Sequence, residues 1–304
     1  MRKAFCDAMC ELAEEERFCF LTGDLGFMAL EPLQRVLGAR FINAGVAEQN
    51  MVSVAAGMAR AGAKPWVYSI APFCYARPFE QIRNDICLNG LSVRLVGNGG
   101  GYGYGSMGAT HHALEDYGVL STLPGMRAYV PAFDTDVRPM VRALACRAAP
   151  SYLRLGRSEL AEEQGLPAYG PWRCLQQGSA GLIVVAGPIA GALWSATRER
   201  TATDRPELWV VSELAVPMHI PQPLLDALTG ARALAIVEEH VATGGLGQQL
   251  LHALALGGQR LPRVMHAHAR GYPSGRYGSQ SWHRRECGLD VSTILEQLVR
   301  EMRA

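Results

Sequence analysis

A single carboxylate stands at the start of an apolar segment. Glu48 follows a predicted strand at residues 38–42 and opens a predicted helix that is rich in Ala, Gly and Met as far as Ala61. The small residues allow this helix to pack closely in the interior, with Glu48 at its N-terminus, where the helix dipole favours a negative charge. Such a residue is ordinarily a helix-capping acid, and the functional alternative is a buried acid at a ligand site.

Two adjacent histidines, His111 and His112, follow a glycine-rich loop over residues 97–108. Neighbouring positions of a helix point to different faces, so we expect one ring to face a cleft as an acid or base while the other packs or caps. The loop formally matches Gly-x-Gly-x-x-Gly, but it is too long for the strand-to-helix turn of a dinucleotide site. We expect its glycines to let the backbone approach a bound ligand closely.

Buried strands alternate with helices along the chain, which predicts βαβ units and parallel sheets. Polar and turn-forming residues interrupt this alternation. The predicted fold class is therefore α/β with two domains, at residues 1–160 and 179–304, joined by a linker at residues 161–178. Strands are predicted at residues 18–22, 38–42, 64–70, 91–96, 126–132, 181–187, 208–212 and 233–237, and helices at residues 3–16, 48–61, 73–88, 136–148 and 245–256.

The composition argues against several kinds of function. The chain has 304 residues, which suits about two domains, and a formal charge of +1, which gives no strong field toward nucleic acid or an anionic membrane. No apolar run is long enough to span a bilayer and no secretory signal is found, so we expect a cytoplasmic protein. The eight cysteines include no Cys-x-x-Cys pair and are interpreted as reduced thiols without a structural zinc site.

Two motifs carry a resemblance to a known family. The sequence Gly-Val-Ala-Glu-Gln-Asn-Met around Glu48 resembles the stretch that carries the characteristic glutamate of the pyrimidine-binding domain in thiamine-diphosphate enzymes, and the transketolase family is the most similar. Gly108-Ala109-Thr110-His111 resembles the Gly-x-Thr-His motif of transketolases. The resemblance implies a pyrimidine-binding parallel-sheet domain followed by a transketolase C-terminal-like α/β domain. It also implies that Glu48 hydrogen-bonds the aminopyrimidine of thiamine diphosphate and that His111 faces the reacting carbons.

The same resemblance implies roles for five further residues. Phe73 would stack on the aminopyrimidine, with Tyr75 as the reserve choice and Arg77 in the same cofactor-binding segment. His112 and Arg157 would contact the substrate, and Arg157 would bind its phosphate, because a guanidinium donates two parallel hydrogen bonds. The ordinary alternatives are core packing for the aromatic rings and a surface charge for Arg157.

Met107 marks a departure from the family pattern. Many transketolases have aspartate at this position, where it would contact a sugar hydroxyl. Methionine offers no strong acceptor for that hydroxyl. The resemblance therefore implies weaker selection for a hydroxyl on carbon 2 of the aldehyde acceptor, unless the glycine-rich loop restores the selection.

The chain contains no Gly-Asp-Gly segment for the diphosphate of the cofactor and its metal ion. It therefore resembles the C-terminal subunit of a split transketolase, whose N-terminal subunit would hold the diphosphate with Mg²⁺ or Ca²⁺, and no metal ligand is assigned to this chain. The resemblance implies an α2β2 heterotetramer with a homodimeric core of this chain. It also implies transfer of a two-carbon ketol unit from a ketose or ketose phosphate to an aldehyde acceptor.

Other functions stay open. A β subunit of a 2-oxo-acid dehydrogenase has similar Ala-Glu-Gln and Glu-Glu-His regions, although the segments at residues 110–112 and 123–126 favour a transketolase. A non-catalytic assembly or regulatory subunit on the same fold is a further alternative, against which the presence of Glu48 and His111 argues. A single-chain deoxyxylulose-phosphate synthase is disfavoured because no N-terminal domain is found.

Overall fold

The computed structural model describes residues 1–160 and 165–303, which form a seven-stranded and a five-stranded sheet. In chain order, the first part comprises α1 (Arg2–Glu11), β1 (Phe18–Thr22), α2 (Glu31–Leu37), β2 (Phe41–Asn43), α3 (Glu48–Arg60), β3 (Lys64–Ile70), α4 (Ala71–Tyr75), α5 (Phe79–Gln81), β4 (Arg94–Asn98), α6 (Asp116–Leu120), β5 (Arg127–Tyr129), α7 (Asp134–Cys146) and β6 (Ser151–Leu155). The rest comprises β7 (Trp172–Gln176), β8 (Leu182–Ala186), α8 (Ile189–Thr197), β9 (Glu207–Val211), β10 (Glu213–Leu214), α9 (Gln222–Gly230), β11 (Ala233–Glu238), α10 (Leu246–Leu256), β12 (Arg263–His268), α11 (Gln280–Cys287) and α12 (Val291–Arg303).

Both sheets are mainly parallel. The strand order of the first sheet is β10-β5-β6-β4-β3-β1-β2, and only β10 pairs antiparallel with its neighbour. The order of the second sheet is β12-β11-β8-β9-β7, in which β7 is the antiparallel strand. The carboxyl ends of parallel strands meet at one edge of a sheet, and ligand sites of such folds are built there.

Successive residues of β1 enter two different cores. Phe18 and Phe20 pack with α1, α2 and α7 on one face of the first sheet. Cys19 and Leu21 pack with α3 and α4 on the other face. Side chains alternate between the two faces of a strand, so a strand that is covered on both sides needs apolar residues at consecutive positions. The unbroken apolar run that predicted this strand has that origin.

Buried polar groups join the two domains. The Tyr117 hydroxyl of α6 donates a hydrogen bond to Glu238, at the end of β11. The Gly118 N–H group donates to the His240 ring at 3.1 Å. A buried polar group without a partner is costly, so these pairings stabilise one arrangement of the two domains.

The predicted α/β class with two domains is confirmed. The helix predicted over residues 73–88 is instead divided into α4, α5 and a wider helical turn at Ile82–Cys87, because Pro78 between them has no N–H group to donate. The linker predicted through residue 178 is too long, since β7 lies within it, and its residues 161–164 lie outside the described residues. The domain boundaries themselves stay a prediction. Across the described parts of the chain, no helix is both long and apolar enough to cross a membrane.

Candidate functional site

Glu48 is buried at the start of α3, at the carboxyl-terminal edge of the first sheet. The turn before it is fixed by Asn43, whose side-chain oxygen accepts hydrogen bonds from the Asp24 and Gly45 N–H groups, both at 3.0 Å. Glu48 is only 4% exposed. Among the described residues, no side chain caps this helix, so Glu48 does not have the capping role. Its carboxylate instead accepts a hydrogen bond from Arg77.

Arg77 connects Glu48 with Phe73. Its Nη1 lies 2.7 Å from Glu48 Oε1, and its guanidinium carbon lies 3.8 Å from the centre of the Phe73 ring. The Gln49 side chain donates to the Arg77 carbonyl at 3.3 Å, which ties the segment after β3 to α3. A planar nitrogen-bearing group therefore stacks on an aromatic ring while it donates a hydrogen bond to a buried carboxylate.

His111 reaches the same place from the loop after β4. Its ring packs edge-on against Phe73, with the ring centroids 5.2 Å apart. Thr110 Oγ1 lies 2.9 Å from Nδ1, so Nε2 is the nitrogen left to meet a ligand. Four residues predicted from separate parts of the sequence are thus brought together. We call Glu48, Phe73, Arg77 and His111 the Glu48 cluster.

His112 points away from the Glu48 cluster, into the boundary between the domains. Its Nε2 lies 2.8 Å from the Gly105 carbonyl and its Nδ1 lies 2.9 Å from the Tyr272 hydroxyl. A carbonyl only accepts, so Nε2 carries the proton and Nδ1 accepts from Tyr272. Burial lowers the pKa of His112, which favours this neutral form. Because both ring nitrogens are occupied, the prediction that His112 binds substrate is corrected: it anchors the glycine-rich loop.

Tyr75 and Met107 lie outside the Glu48 cluster. Tyr75 is 6% exposed and its hydroxyl donates to Glu115 at 3.2 Å, so its ring offers no free face for stacking, and we withdraw it as the reserve choice. Met107 ends a 3-10 turn of the glycine-rich loop and is 54% exposed. Its thioether therefore faces the open side of the site.

Arg157 lines an open cavity of about 970 Å³ at the same edge of the sheet, where β4 and β6 end. The Tyr104 ring also lines this cavity and lies 5.8 Å from the His111 ring, centroid to centroid, so it stands between the cavity and His111. Only Arg157 was expected here, because the other basic residues belong to no motif and are assembled by α1 and α2. The charged residues that line the cavity are Arg2, Lys3, Asp7, Glu31, Arg35 and Arg157.

Glu239, from the second domain, supports the glycine-rich loop. Its Oε1 accepts hydrogen bonds from the Tyr102 N–H group at 2.5 Å and the Gln280 side chain at 3.0 Å. Arg284 Nε lies 2.5 Å from its other oxygen. Gly101 has a φ of +65°, and a Cβ there would overlap the Glu239 carboxylate, so glycine is required for this close approach. The second domain therefore positions the loop that carries Met107 and His111, a role that the local sequence did not indicate.

Comparison with known proteins identifies the family. A family model described as the pyrimidine-binding domain of transketolase matches residues 1–163, more than half of the chain. The chain belongs to the transketolase family. The family predicted from the two motifs is thereby confirmed, and the match places Glu48, Phe73, Arg77 and His111 within the transketolase pyrimidine-binding domain.

Relatives of this transketolase-family chain include subunits of multi-chain enzymes. One of the subunits of the apulose-4-phosphate transketolase of Phocaeicola vulgatus is 30% identical over 263 residues, 84% of this chain and 83% of the relative. The 6-deoxy-6-sulfo-D-fructose transketolase subunit SqwH of a Clostridium species is 28% identical over 262 residues, 84% of this chain and 80% of the relative. A solved structure described as a split gene transketolase, inactive beta4 tetramer, is 27% identical with a TM-score of 0.83 and covers 99% of this chain and 97% of its own.

Proposed function

We propose that this chain is the C-terminal subunit of a two-chain transketolase that transfers a two-carbon ketol unit from a ketose phosphate to an aldehyde acceptor. The observation that carries this proposal is the Glu48 cluster, in which a buried carboxylate, an aromatic ring and a histidine meet at one edge of a parallel sheet. A partner chain would hold the diphosphate of the cofactor and its magnesium or calcium ion.

The Glu48 cluster suits an aminopyrimidine. The Arg77 guanidinium, itself planar and bearing N–H donors, already stacks on Phe73 at 3.8 Å and donates to Glu48 at 2.7 Å. An aminopyrimidine would use the same ring face and the same carboxylate, and the half-exposed Arg77 side chain has room to move to the rim. When bound, thiamine diphosphate supplies carbanion chemistry that side chains do not provide.

His111 is the group of this chain that we assign to proton management at the substrate oxygen. Its Nδ1 is engaged by Thr110, which leaves Nε2 to donate to or accept from a substrate oxygen. Phe73 packs against the ring and limits its rotation. A histidine suits this task because its ordinary pKa lies near neutral pH.

We assign the anionic end of the substrate to the cavity lined by Arg157. Arg2 and Arg35 face the same space, and arginine binds phosphate through two parallel hydrogen bonds. The two relatives are named for a phosphorylated and a sulfonated sugar, both of which carry an anion. A ketose phosphate donor and an aldose phosphate acceptor therefore fit this chain best.

A β subunit of a 2-oxo-acid dehydrogenase is the second candidate. In a 2-oxo acid the carboxylate is attached directly to the reacting carbonyl carbon. Such a substrate has no use for an anion-binding cavity on the far side of Tyr104 from His111, so Arg157 and its basic neighbours favour the sugar phosphate. A non-catalytic subunit gives no reason for the Glu48 cluster to be assembled.

For the assembly, we expect an α2β2 heterotetramer with a homodimeric core of this chain, located in the cytoplasm. The related protein described as an inactive beta4 tetramer supports two parts of this expectation. Chains of this type associate with themselves in that protein, and the self-associated form is described as inactive.

The proposed function is tested by reconstitution. The chain bound to this protein in its native source is identified by copurification, and both chains are then produced separately. We expect ketol transfer from a ketose phosphate only when both chains and thiamine diphosphate are present, and no decarboxylation of a 2-oxo acid. Decarboxylation without ketol transfer would move the assignment to the second candidate, and a complex that is inactive with both substrates would indicate an assembly role.

A further inference from the structure

Tyr104 forms the wall between the two parts of the proposed site. On one side its ring lies 5.8 Å from the His111 ring. On the other side it lines the cavity together with Arg2 and Arg157. A substrate that reaches from His111 to the cavity therefore passes Tyr104 with the carbons in the middle of its chain.

The Tyr104 ring is held in one place. Gly99 has a φ of +76°, and a Cβ at this position would overlap the Tyr104 ring, so the ring occupies the space that a side chain on residue 99 would fill. Asn98 Nδ2 donates a hydrogen bond to the Tyr104 hydroxyl at 2.9 Å. A ring packed against backbone and a hydroxyl fixed by a neighbouring amide give a preorganised group, which costs little ordering entropy when a ligand binds.

The Tyr104 hydroxyl still has a proton to donate. Its oxygen accepts from Asn98, and no described residue accepts a hydrogen bond from it in return. Burial raises the pKa of Tyr104, so the hydroxyl stays protonated at neutral pH even with the Asn98 amide and Arg2 close by. Met107, in contrast, is exposed and has no hydrogen to donate.

We propose that Tyr104 is a specificity-determining residue, whose hydroxyl donates a hydrogen bond to a substrate hydroxyl on the carbon next to the one that bears the phosphate. This role rests on the proposed function, because it takes His111 and Arg157 as the two ends of the substrate site. A site with a fixed polar group rejects an analogue that lacks the matching hydroxyl, since the polar group is then left without its partner.

The test compares two acceptors, a four-carbon aldose phosphate and its 3-deoxy analogue, in the complex reconstituted with the partner chain. We expect the wild type to prefer the 3-hydroxy acceptor in kcat/KM, and Tyr104→Phe to lower this preference roughly five- to tenfold, the size of one neutral hydrogen bond. Phenylalanine keeps the ring above Gly99, so folding is preserved. Tyr277→Phe is the matched control, because it removes an exposed tyrosine hydroxyl outside the cavity lining and should leave the preference unchanged.

Met107→Asp provides a contrast at a neighbouring carbon. It should raise the preference for a 2-hydroxy over a 2-deoxy acceptor while leaving the preference at carbon 3 at its wild-type value. If Tyr104→Phe keeps the wild-type preference at carbon 3, or if Met107→Asp alone changes that preference, the role of Tyr104 is overturned.

Failure of the proposed function gives a different result. If the wild-type complex transfers no ketol unit to either acceptor, the proposed function fails, and the same two compounds are compared by calorimetric binding to the complex. Tighter binding of the 3-hydroxy compound to the wild type, but not to Tyr104→Phe, would then still support hydroxyl recognition by Tyr104. Equal affinities of the wild type for both compounds would overturn it.

Discussion

Two neighbouring histidines have different surroundings, and their substitution should have different consequences. His111 contacts the open site, whereas both nitrogens of His112 are hydrogen-bonded inside the protein. We expect His111→Ala to lower kcat of the reconstituted complex by roughly a hundredfold, as for a group that moves a proton, with little change in melting temperature. His112→Ala should instead lower the free energy of unfolding by about 2 kcal/mol, because it removes two buried hydrogen bonds.

Kinetics and thermal unfolding of both variants decide between these roles. His112→Gln is a useful intermediate, since its amide can still donate to the Gly105 carbonyl. A loss of kcat in His112→Ala as large as that in His111→Ala, with both variants equally stable, would contradict the division of roles.

At the scale of secondary-structure elements, the sequence predicted the parts of the fold whose signal is local. The strand at residues 18–22 has apolar residues at every position because both its faces are covered, and the start of α3 at Glu48 was predicted from the small apolar residues that follow. Glu48 and His111 could be assigned because each lies in a motif. Their meeting with Phe73 depends on parallel strands whose carboxyl ends share one edge.

Other parts of the site could not be predicted because their signal is not local. Tyr104 was one aromatic residue within a glycine-rich loop, and its position depends on the packing of its ring over Gly99. Arg2 and Arg35 belong to two helices that meet the end of β6 only in the folded chain. The strand β6 itself was not predicted, because Arg154 interrupts its apolar pattern; the Arg154 side chain is buried in an ion pair with Asp116, at 2.9 Å.

The interface around the glycine-rich loop should make stability depend on pH. Burial lowers the pKa values of His112, His240 and His283 below their ordinary value of 6.5. As the pH falls through 6.5, the unfolded chain binds protons that the folded chain does not, so the free energy of unfolding decreases. Each histidine contributes a slope of at most about 1.4 kcal/mol per pH unit. Glu238 acts in a separate, more acidic window: burial opposes its charged form, but hydrogen bonds from His266 and backbone N–H groups outweigh burial and lower its pKa.

Urea unfolding at pH 7.5, 6.5 and 5.5 measures this dependence. We expect the free energy of unfolding to fall across this range and His112→Gln to reduce the slope. His252→Gln, which changes an exposed histidine of α10, is the matched control and should leave the slope at its wild-type value. An equal slope in wild type and His112→Gln would show that His112 is not held neutral by the fold.

At the scale of the whole molecule, the two domains of this chain have distinct tasks in the proposed enzyme. The first domain holds the Glu48 cluster and the cavity lined by Arg157. The second domain holds the glycine-rich loop in place through Glu239. The chain thus supplies the pyrimidine side and the substrate side of the site, and activity in our account depends on the chain that supplies the diphosphate side.

The central claim is that Glu48 activates thiamine diphosphate in a site completed by a partner chain. It is tested most directly by the rate at which the proton on the reactive carbon of the cofactor's thiazolium ring exchanges with solvent deuterium, measured by quenched-flow NMR. The samples are this chain alone, the partner alone, the wild-type complex and the Glu48→Gln complex, with the exposed Glu80→Gln as control. We predict fast exchange only in the wild-type and Glu80→Gln complexes. Fast exchange with this chain alone, or an unchanged rate in the Glu48→Gln complex, would contradict the account.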